Sequence, residues 1–403
     1  MQKILIIGSG FAGVDAALSA ARLRDLQGVS ADALEIAVVS PAPILGMRPR
    51  LYEAKPETLS PSLTELFDAI EIRYVQGVVE RIDTGARTVD YVDAEGTVGT
   101  LDYDRLVLAA GSRLFRPDLP GLSDYGFSVD SVEDAVALDK HLHALADKPD
   151  SIARNTIVVG GGGFTGLEVA TEMPGRLREI LGADVTPRIV IVERAAAIGP
   201  DIGDGPRPAI LAALEELGIE TKVGSGIASL DAGGATLSSG ERIEAATVVW
   251  SAGMKANPIT TQIPGERDNL GRLIVDRDLR VPGVAGVFAT GDVAKAASDD
   301  EGNFAAMSCQ HAKRMGAFAG NNAAAELLGV ATEAYHQRPY VTCLDLGAAG
   351  ALFTTGWDRQ IQMTGEQAKK MKQEINQVWI YPPRPNKAEV FAYAVPANVV
   401  DLS

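Results

Sequence analysis

Two glycine clusters in this chain have the spacing that lets a backbone approach a diphosphate. Gly8, Gly10 and Gly13 follow the apolar run Ile4–Ile7, and Gly161, Gly163 and Gly166 follow Ile157–Val159. Both read G-x-G-x-x-G. In that pattern the first glycine makes a tight turn out of a strand. The second removes the Cβ that would hold a pyrophosphate away, and the third lets helix and strand pack closely. The helix that follows presents free N–H groups to the phosphate. The motif has meaning only where it joins a strand to a helix, and both copies sit in that context. Two such loops about 150 residues apart predict two bound dinucleotides. The simplest chemistry between two dinucleotides is hydride transfer.

Carboxylates stand where sugars would be held. The strand Ile189–Val192 ends in Glu193, 27 residues after Gly166, a little beyond the usual interval of about 20. The insertion Leu181–Arg188 accounts for the difference. Glu193 is placed to accept from both ribose hydroxyls of NADH. A carboxylate about 4 Å from a 2′-phosphate costs roughly 1 kcal/mol in water and about 4 at an effective dielectric of 20. That favours NADH over NADPH, although Arg194 would offset it if turned inward. Asp292 follows Val287–Gly291 and can accept from sugar-alcohol hydroxyls; a helix N-cap is its plainer reading. At the first site the second strand, Glu35–Ser40, ends in Ser40 rather than an acid. A hydroxyl holds a ribose less strongly than a carboxylate.

The elements that must position these groups can be read in outline. The chain has 403 residues, 46% hydrophobic, with 42 glycines, which suits an α/β protein of two or three domains. Its net charge of −16 argues against nucleic acid and against charge-driven binding to anionic membrane. Cys309 and Cys343 are the only cysteines and form no C-x-x-C, so a dithiol relay is not expected and a reducing, cytoplasmic setting is. No apolar run approaches the roughly 18 residues of a membrane span, and the four apolar residues before Gly8 are too few for a signal peptide. Residues 41–64 carry five prolines and read either as a surface loop or as a loop bent over a cofactor, Met47 to Tyr52 closest. Residues 72–108 alternate as a β-ribbon that leads into the buried strand Leu106–Ala109 and the turn Ala110–Ser112. Thr247–Trp250 and the small-residue turn Ser251–Gly253 repeat that arrangement. A helix from Met307 to Leu328 carries alanine and glycine on its packing face and aims its positive end toward Asp292. Residues 340–363 return to strand-like alternation. After Gly365 a docking helix places Ala368, Met371, Ile375 and Val378 on one face and Lys369, Lys370 and Lys372 away from it. Weak membrane-surface anchoring by this helix is the alternative.

The set GSGFAG, LVLAAGSR, GGGFTGLEVATE, VVWSAG and FATGDVA resembles the two-dinucleotide flavoprotein disulfide-reductase superfamily over roughly residues 1–330. Pro49-x-Leu51-Tyr52, GGGFTGLE and the missing dithiol look most like type II NADH dehydrogenases and apoptosis-inducing-factor-like oxidoreductases. The resemblance implies an α/β fold of two Rossmann-like FAD/NAD(P)-binding domains, the second inserted in the first, plus a small C-terminal α+β region. Residues 1–112 and 251–330 would bind FAD, 113–250 NADH, and 331–403 would form an interface region. FAD would meet Gly8, Gly10, Phe11, Ala12, Gly13, Ser40, Arg48, Ala110, Gly111, Gly291, Asp292 and Met307, and Gly253 is a further cofactor-binding candidate. NADH would meet Gly161, Gly163, Phe164, Thr165, Gly166 and Glu193, with Glu168 near the nicotinamide as a proton-path or positioning group. Electrons would then pass from flavin to a quinone or another small acceptor.

Type II dehydrogenases tend to carry a glutamine pair on the helix after the ribityl aspartate. Here Gln310 matches one element, while Arg314 and Met315 stand where the pair is expected; His311 is a proton-donor candidate, although a lone histidine on a helix is more often structural. The paired C-terminal membrane helices of that family are not evident, which leaves peripheral contact with the inner face of a membrane as an alternative to a free protein. A homodimer is also left open. The other readings of the same fold are a soluble reductase serving a redox protein or small organic substrate, and a slow flavin-based signalling protein.

Overall fold

The computed structural model describes residues 1–337 and 339–396; the last seven residues of the expected interface region, 397–403, lie outside it. Two five-stranded parallel sheets organise the chain. The first runs Val287–Ala289, Arg105–Leu108, Gln2–Ile7, Leu34–Ser40, Arg73–Gln76. The second runs Glu220–Val223, Arg188–Glu193, Thr156–Gly160, Thr247–Trp250, Gly126–Phe127. Every neighbouring pair in both sheets is parallel. Near-continuous Val and Ile runs are what parallel strands covered on both faces require, and Ile4–Ile6 and Ile157–Val159 are buried accordingly.

In each sheet the strand that leads into a glycine loop is flanked by one strand reached through its own helix and another reached by a longer excursion. The chain therefore reverses direction across the sheet beside that loop, the place where such sheets open a crevice at their carboxyl ends. The antiparallel ribbon expected from residues 72–108 comprises Val78–Asp83, Thr88–Val92 and Val98–Asp102, whereas Arg73–Gln76 joins the parallel sheet.

The first glycine loop opens a helix, Phe11–Leu26, that lies against the alanine-rich helix Cys309–Leu328. Closeness explains the composition: a Cβ on Gly316 would lie 2.2 Å from the carbonyl oxygen of Ala12, and one on Gly320 would lie 1.9 Å from that of Ala16. Two strands, Ser112–Leu114 and Met254–Ala256, pair antiparallel where the chain crosses between the lobes. A three-stranded antiparallel sheet, Val341–Asp345, Ala351–Thr355 and Gln360–Thr364, and the helix Gly365–Glu374 follow.

Two sequence expectations need correction here. The segment 41–64 is not a surface loop throughout: Ala54, Lys55, Glu57 and Thr58 are exposed, but Met47 is 0% exposed within the first lobe's core, and Leu51 and Tyr52 are buried in the second's. In the docking helix, Lys372 faces inward at 5% exposure, and Lys369 reaches Asp345, so only Lys370 stands in solvent as expected. The α-helix stops at Glu374 and widens into a single π turn, Ile375–Trp379. That turn breaks the 3.6-residue period, and Val378 ends up exposed rather than packed. No helix among the described residues is long and apolar enough to cross a membrane.

Candidate active site

The two glycine loops have the same three-part geometry. Gly8 and Gly161 both take φ in the left-handed half of the map, +107° and +115°. A Cβ on Gly8 would sit 2.5 Å from the carbonyl oxygen of Ala109, and one on Gly161 3.0 Å from Ser251 Oγ. Gly13 and Gly166 have no room either, since a Cβ on each would lie 1.9 Å from the carbonyl oxygen of Gly8 or Gly161. The middle glycines differ. Around a Cβ on Gly10 or Gly163 there is nothing within 4 Å, although both have extended backbone open to any residue. Packing therefore explains the outer glycines and leaves the middle ones unexplained, and open space beside an uncapped helix start is what a diphosphate needs. Gly10 and Gly163 are the N-caps of their helices and no side chain caps either. The first-turn N–H groups, those of Phe11, Ala12 and Gly13 and of Phe164, Thr165 and Gly166, are left for a ligand.

Strand ends position the sugar-binding candidates. Glu193 lies beside the second loop, where Oε2 accepts from the Gly162 N–H at 2.7 Å and Oε1 from the Ala195 N–H at 2.7 Å. Each oxygen keeps a lone pair for a hydroxyl. Ser40 ends the matching strand of the first lobe but offers no free hydroxyl. It is buried, donates to Ala42 O at 2.9 Å and lies 3.2 Å from the Tyr74 hydroxyl.

Asp292 sits in the short 3-10 turn Gly291–Val293 after the first lobe's edge strand. Its Oδ2 accepts from Ser112 Oγ at 2.6 Å and lies 3.6 Å from Arg48 Nη1. Burial pushes this carboxyl above its ordinary range, and Ser112 and Arg48 oppose the rise. Gly111, in left-handed conformation, precedes Ser112, and Asn257 donates to the carbonyl of Ala110 at 3.3 Å. Gly253 mirrors Gly111 at the other crossing strand, with its carbonyl taken by the Phe115 N–H.

The alanine-rich helix begins two residues later than expected, at Cys309, with Ser308 as N-cap and Met307 just before it. Gln310 Oε1 is 3.5 Å from the Val341 N–H. His311 is buried, with Nδ1 2.9 Å from Ser308 Oγ and Nε2 unpartnered. Burial lowers its pKa to about 4, so it is neutral and a poor proton donor near pH 7. Arg314 bonds His336 and lies over Phe318, while Met315 is core, so neither stands in for a glutamine. Both cysteines are free, and burial raises both thiols, Cys343 to about 12.

Glu168 lies one turn into the second loop's helix and points at the C-terminal region. Its Oε1 accepts from Lys372 Nζ at 2.7 Å and from the Asp345 N–H at 3.1 Å. Both side chains are buried. Burial raises the Glu168 carboxyl. Burial alone would lower the Lys372 ammonium, but Glu168 outweighs it and keeps the lysine protonated. Tyr52 and Lys369 complete the cluster through Asp345. The sequence places Lys372 away from the packed face, yet it stands four residues after buried Ala368, on the same helical stripe. Among the described residues no group of His, Cys, Asp and Glu is arranged to hold a metal.

Comparison with known proteins agrees with this geometry. The family model for pyridine nucleotide-disulphide oxidoreductases matches residues 2–316. An NADH dehydrogenase-like protein of Mycobacterium tuberculosis is 45% identical over 399 residues, covering 98% of both chains. A type II NADH:quinone oxidoreductase of Staphylococcus haemolyticus is 28% identical over 311 residues, 72% of this chain and 74% of its own. The structure of NDH2 from Plasmodium falciparum in complex with NADH superposes with a TM-score of 0.76 at 14% identity, covering 98% of this chain and 97% of that one. That likeness concerns the fold. The chain belongs to the pyridine nucleotide-disulphide oxidoreductase family, the FAD- and NAD(P)H-dependent oxidoreductases.

Proposed function

We propose that this protein oxidises NADH through bound FAD and delivers the electrons to a quinone. The observation that carries the reading is the duplicated loop, in which Gly10 and Gly163 face open space at two uncapped helix starts. The names of the mycobacterial and staphylococcal relatives support NADH as donor and a quinone as acceptor. In this reading residues 1–112 and 251–330 form the FAD lobe, 113–250 the NADH lobe and 331–403 the acceptor-side region.

The first loop, Gly8 to Gly13, would hold the FAD diphosphate, Asp292 the ribityl chain, and Arg48, Ala110, Gly111, Gly253, Gly291 and Met307 the flavin half. Bound FAD would supply a ring that accepts an electron pair from nicotinamide and gives it up to a second substrate. Gly161, Gly163, Phe164, Thr165 and Gly166 would seat NADH. Glu193, fixed by two backbone N–H groups, would accept from its ribose hydroxyls and repel a 2′-phosphate. Glu168 Oε1 and Lys372 Nζ share a proton position in a buried site, which suits proton delivery to an acceptor. Gln310, at the start of the alanine-rich helix, would orient that acceptor. Exposed Ile361 and Val378 support a peripheral approach of the C-terminal region to a membrane.

Anaerobic mixing of the purified holoprotein with NADH and with NADPH, followed by a panel of acceptors, tests the proposal. Rapid bleaching by NADH and reoxidation by a short-chain quinone are expected. Reoxidation only by a protein carrier would make it a soluble reductase. A long-lived reduced species that hardly turns over would make it a switch.

A further inference from the structure

The seven residues Met47–Glu53 touch each part of the molecule that two cofactors would need held in register. Met47 is packed in the first lobe's core, and Leu51 and Tyr52 are packed in the second's. Arg50 pairs with Glu53 and donates to the Tyr381 hydroxyl at 2.9 Å. Arg176, from the second glycine-loop helix, donates to the Tyr52 carbonyl at 3.2 Å.

Arg48 is the polar centre of this segment. Its Nε donates to the backbone oxygen of Asp130 at 3.1 Å and its Nη2 to the carboxylate of the same residue. Nη1 donates to Ser112 Oγ at 3.0 Å and faces Asp292 at 3.6 Å. The other carboxylate oxygen of Asp130 accepts from the Leu114 N–H at 2.9 Å. Ser112 and Leu114 belong to one of the two strands that cross between the lobes, and Asp130 follows the second sheet's edge strand. The guanidinium thus joins the ribityl-binding candidate to the entry of the second lobe, and two donors on one residue fix its plane.

We infer that Arg48, acting through Asp130, sets how the two dinucleotide lobes face one another and is a positioning residue for electron transfer between them. This rests on the two-cofactor reading above. An arginine serving only as a cofactor ligand would keep its fork turned toward the ligand. Here the fork is spent on Asp130 and Ser112, and only the flank of Nη1 faces Asp292. A lysine would keep the charge and lose the two-point hold.

The test uses the holoprotein and its Asp130→Asn and Arg48→Lys variants, mixed anaerobically with NADH in a stopped-flow spectrometer. FAD should stay bound in Asp130→Asn, and Arg48→Lys, whose residue also lines the flavin half, is measured with FAD added to saturation. Misplacement by about 1 Å slows a positioned reaction roughly a hundredfold, so flavin bleaching should slow by about that factor, with a much smaller change in the NADH concentration for half-maximal rate. The transient long-wavelength absorbance of stacked nicotinamide and flavin should weaken. The double variant should be no slower than Arg48→Lys alone. Bleaching at the wild-type rate in either variant overturns the inference. So does a wild-type rate in Arg48→Lys once FAD is saturating, because Arg48 is then a cofactor ligand alone. Failure of wild-type protein to bleach with NADH at all would instead overturn the two-cofactor reading, and this inference with it. If Asp130→Asn does not fold, Arg48→Lys at saturating FAD decides the matter alone.

Discussion

Replacing Lys372 with methionine would leave Glu168 buried without its cation. The ion pair is 2.7 Å long and both side chains are 6% exposed, so solvent screens it little. Burial pushes the Glu168 carboxyl up and Lys372 opposes the rise, so without the lysine the buried carboxyl keeps its proton at pH 7, while in the unfolded chain a glutamate ionises near its ordinary value of about 4.3. The folded variant would therefore hold a proton on Glu168 at pH 7 that the unfolded chain releases. Each unit between the ordinary pKa and the ambient pH is worth about 1.4 kcal/mol. The cost is then about 4 kcal/mol at pH 7 and about 1 kcal/mol at pH 5. The first figure agrees with the roughly 3–5 kcal/mol typical of breaking one side of a buried pair. With an unfolding entropy of about 2.1 cal/mol/K per residue over 403 residues, the melting temperature should drop by about 5 °C at pH 7 and by about 1 °C at pH 5. Thermal unfolding of wild type and Lys372→Met, followed by near-ultraviolet circular dichroism from pH 5 to 8, measures both. Adding Glu168→Gln to Lys372→Met should remove the pH dependence. A loss of the same size at every pH would mean that Lys372 only fills space, and no loss would mean that the pair is not formed.

Three further outcomes follow from the geometry. Gly163→Ala should fold and keep FAD while losing NADH affinity, since no protein atom lies within 4 Å of the new methyl, whereas Gly166→Ala should fail to fold because its methyl would meet the Gly161 oxygen at 1.9 Å; equal behaviour of the two in NADH titration and melting would refute the loop assignment. Glu193→Gln should raise the NADPH-to-NADH ratio of kcat/KM at least about fivefold, and an unchanged ratio would remove Glu193 from the ribose site. His311 is held near a pKa of about 4 by burial, so the fold loses stability as the pH drops below about 6.5, where the unfolded chain takes a proton that the folded one resists. His311→Phe should abolish that loss, worth about 2 kcal/mol at pH 5, and an unchanged acid limb in urea unfolding would show that His311 is not the group responsible.

The amino-acid sequence determined by itself whatever depends on backbone geometry over a few residues. A left-handed turn at Gly8 and Gly161 needs glycine, and close helix packing at Gly13 and Gly166 needs glycine too. Val and Ile runs beside them define parallel strands, and the acid at a strand end follows from the same local order, so two lobes and Glu193 were legible in one dimension. Partnerships across the chain were not. Residue type alone puts Lys372 in solvent, because lysine is usually exposed, and Glu168, the carboxylate that draws it inward, is 204 residues away. A single π turn rotated Val378 out of the apolar stripe, a change of helical phase that no residue type announces. Residues 41–64 have no periodicity to read, and only tertiary packing makes Met47, Arg48 and Tyr52 a bridge between two cores. The physical reason is that turn and strand preferences act through covalent neighbours. The burial of a charge is decided by whichever distant group arrives to neutralise it.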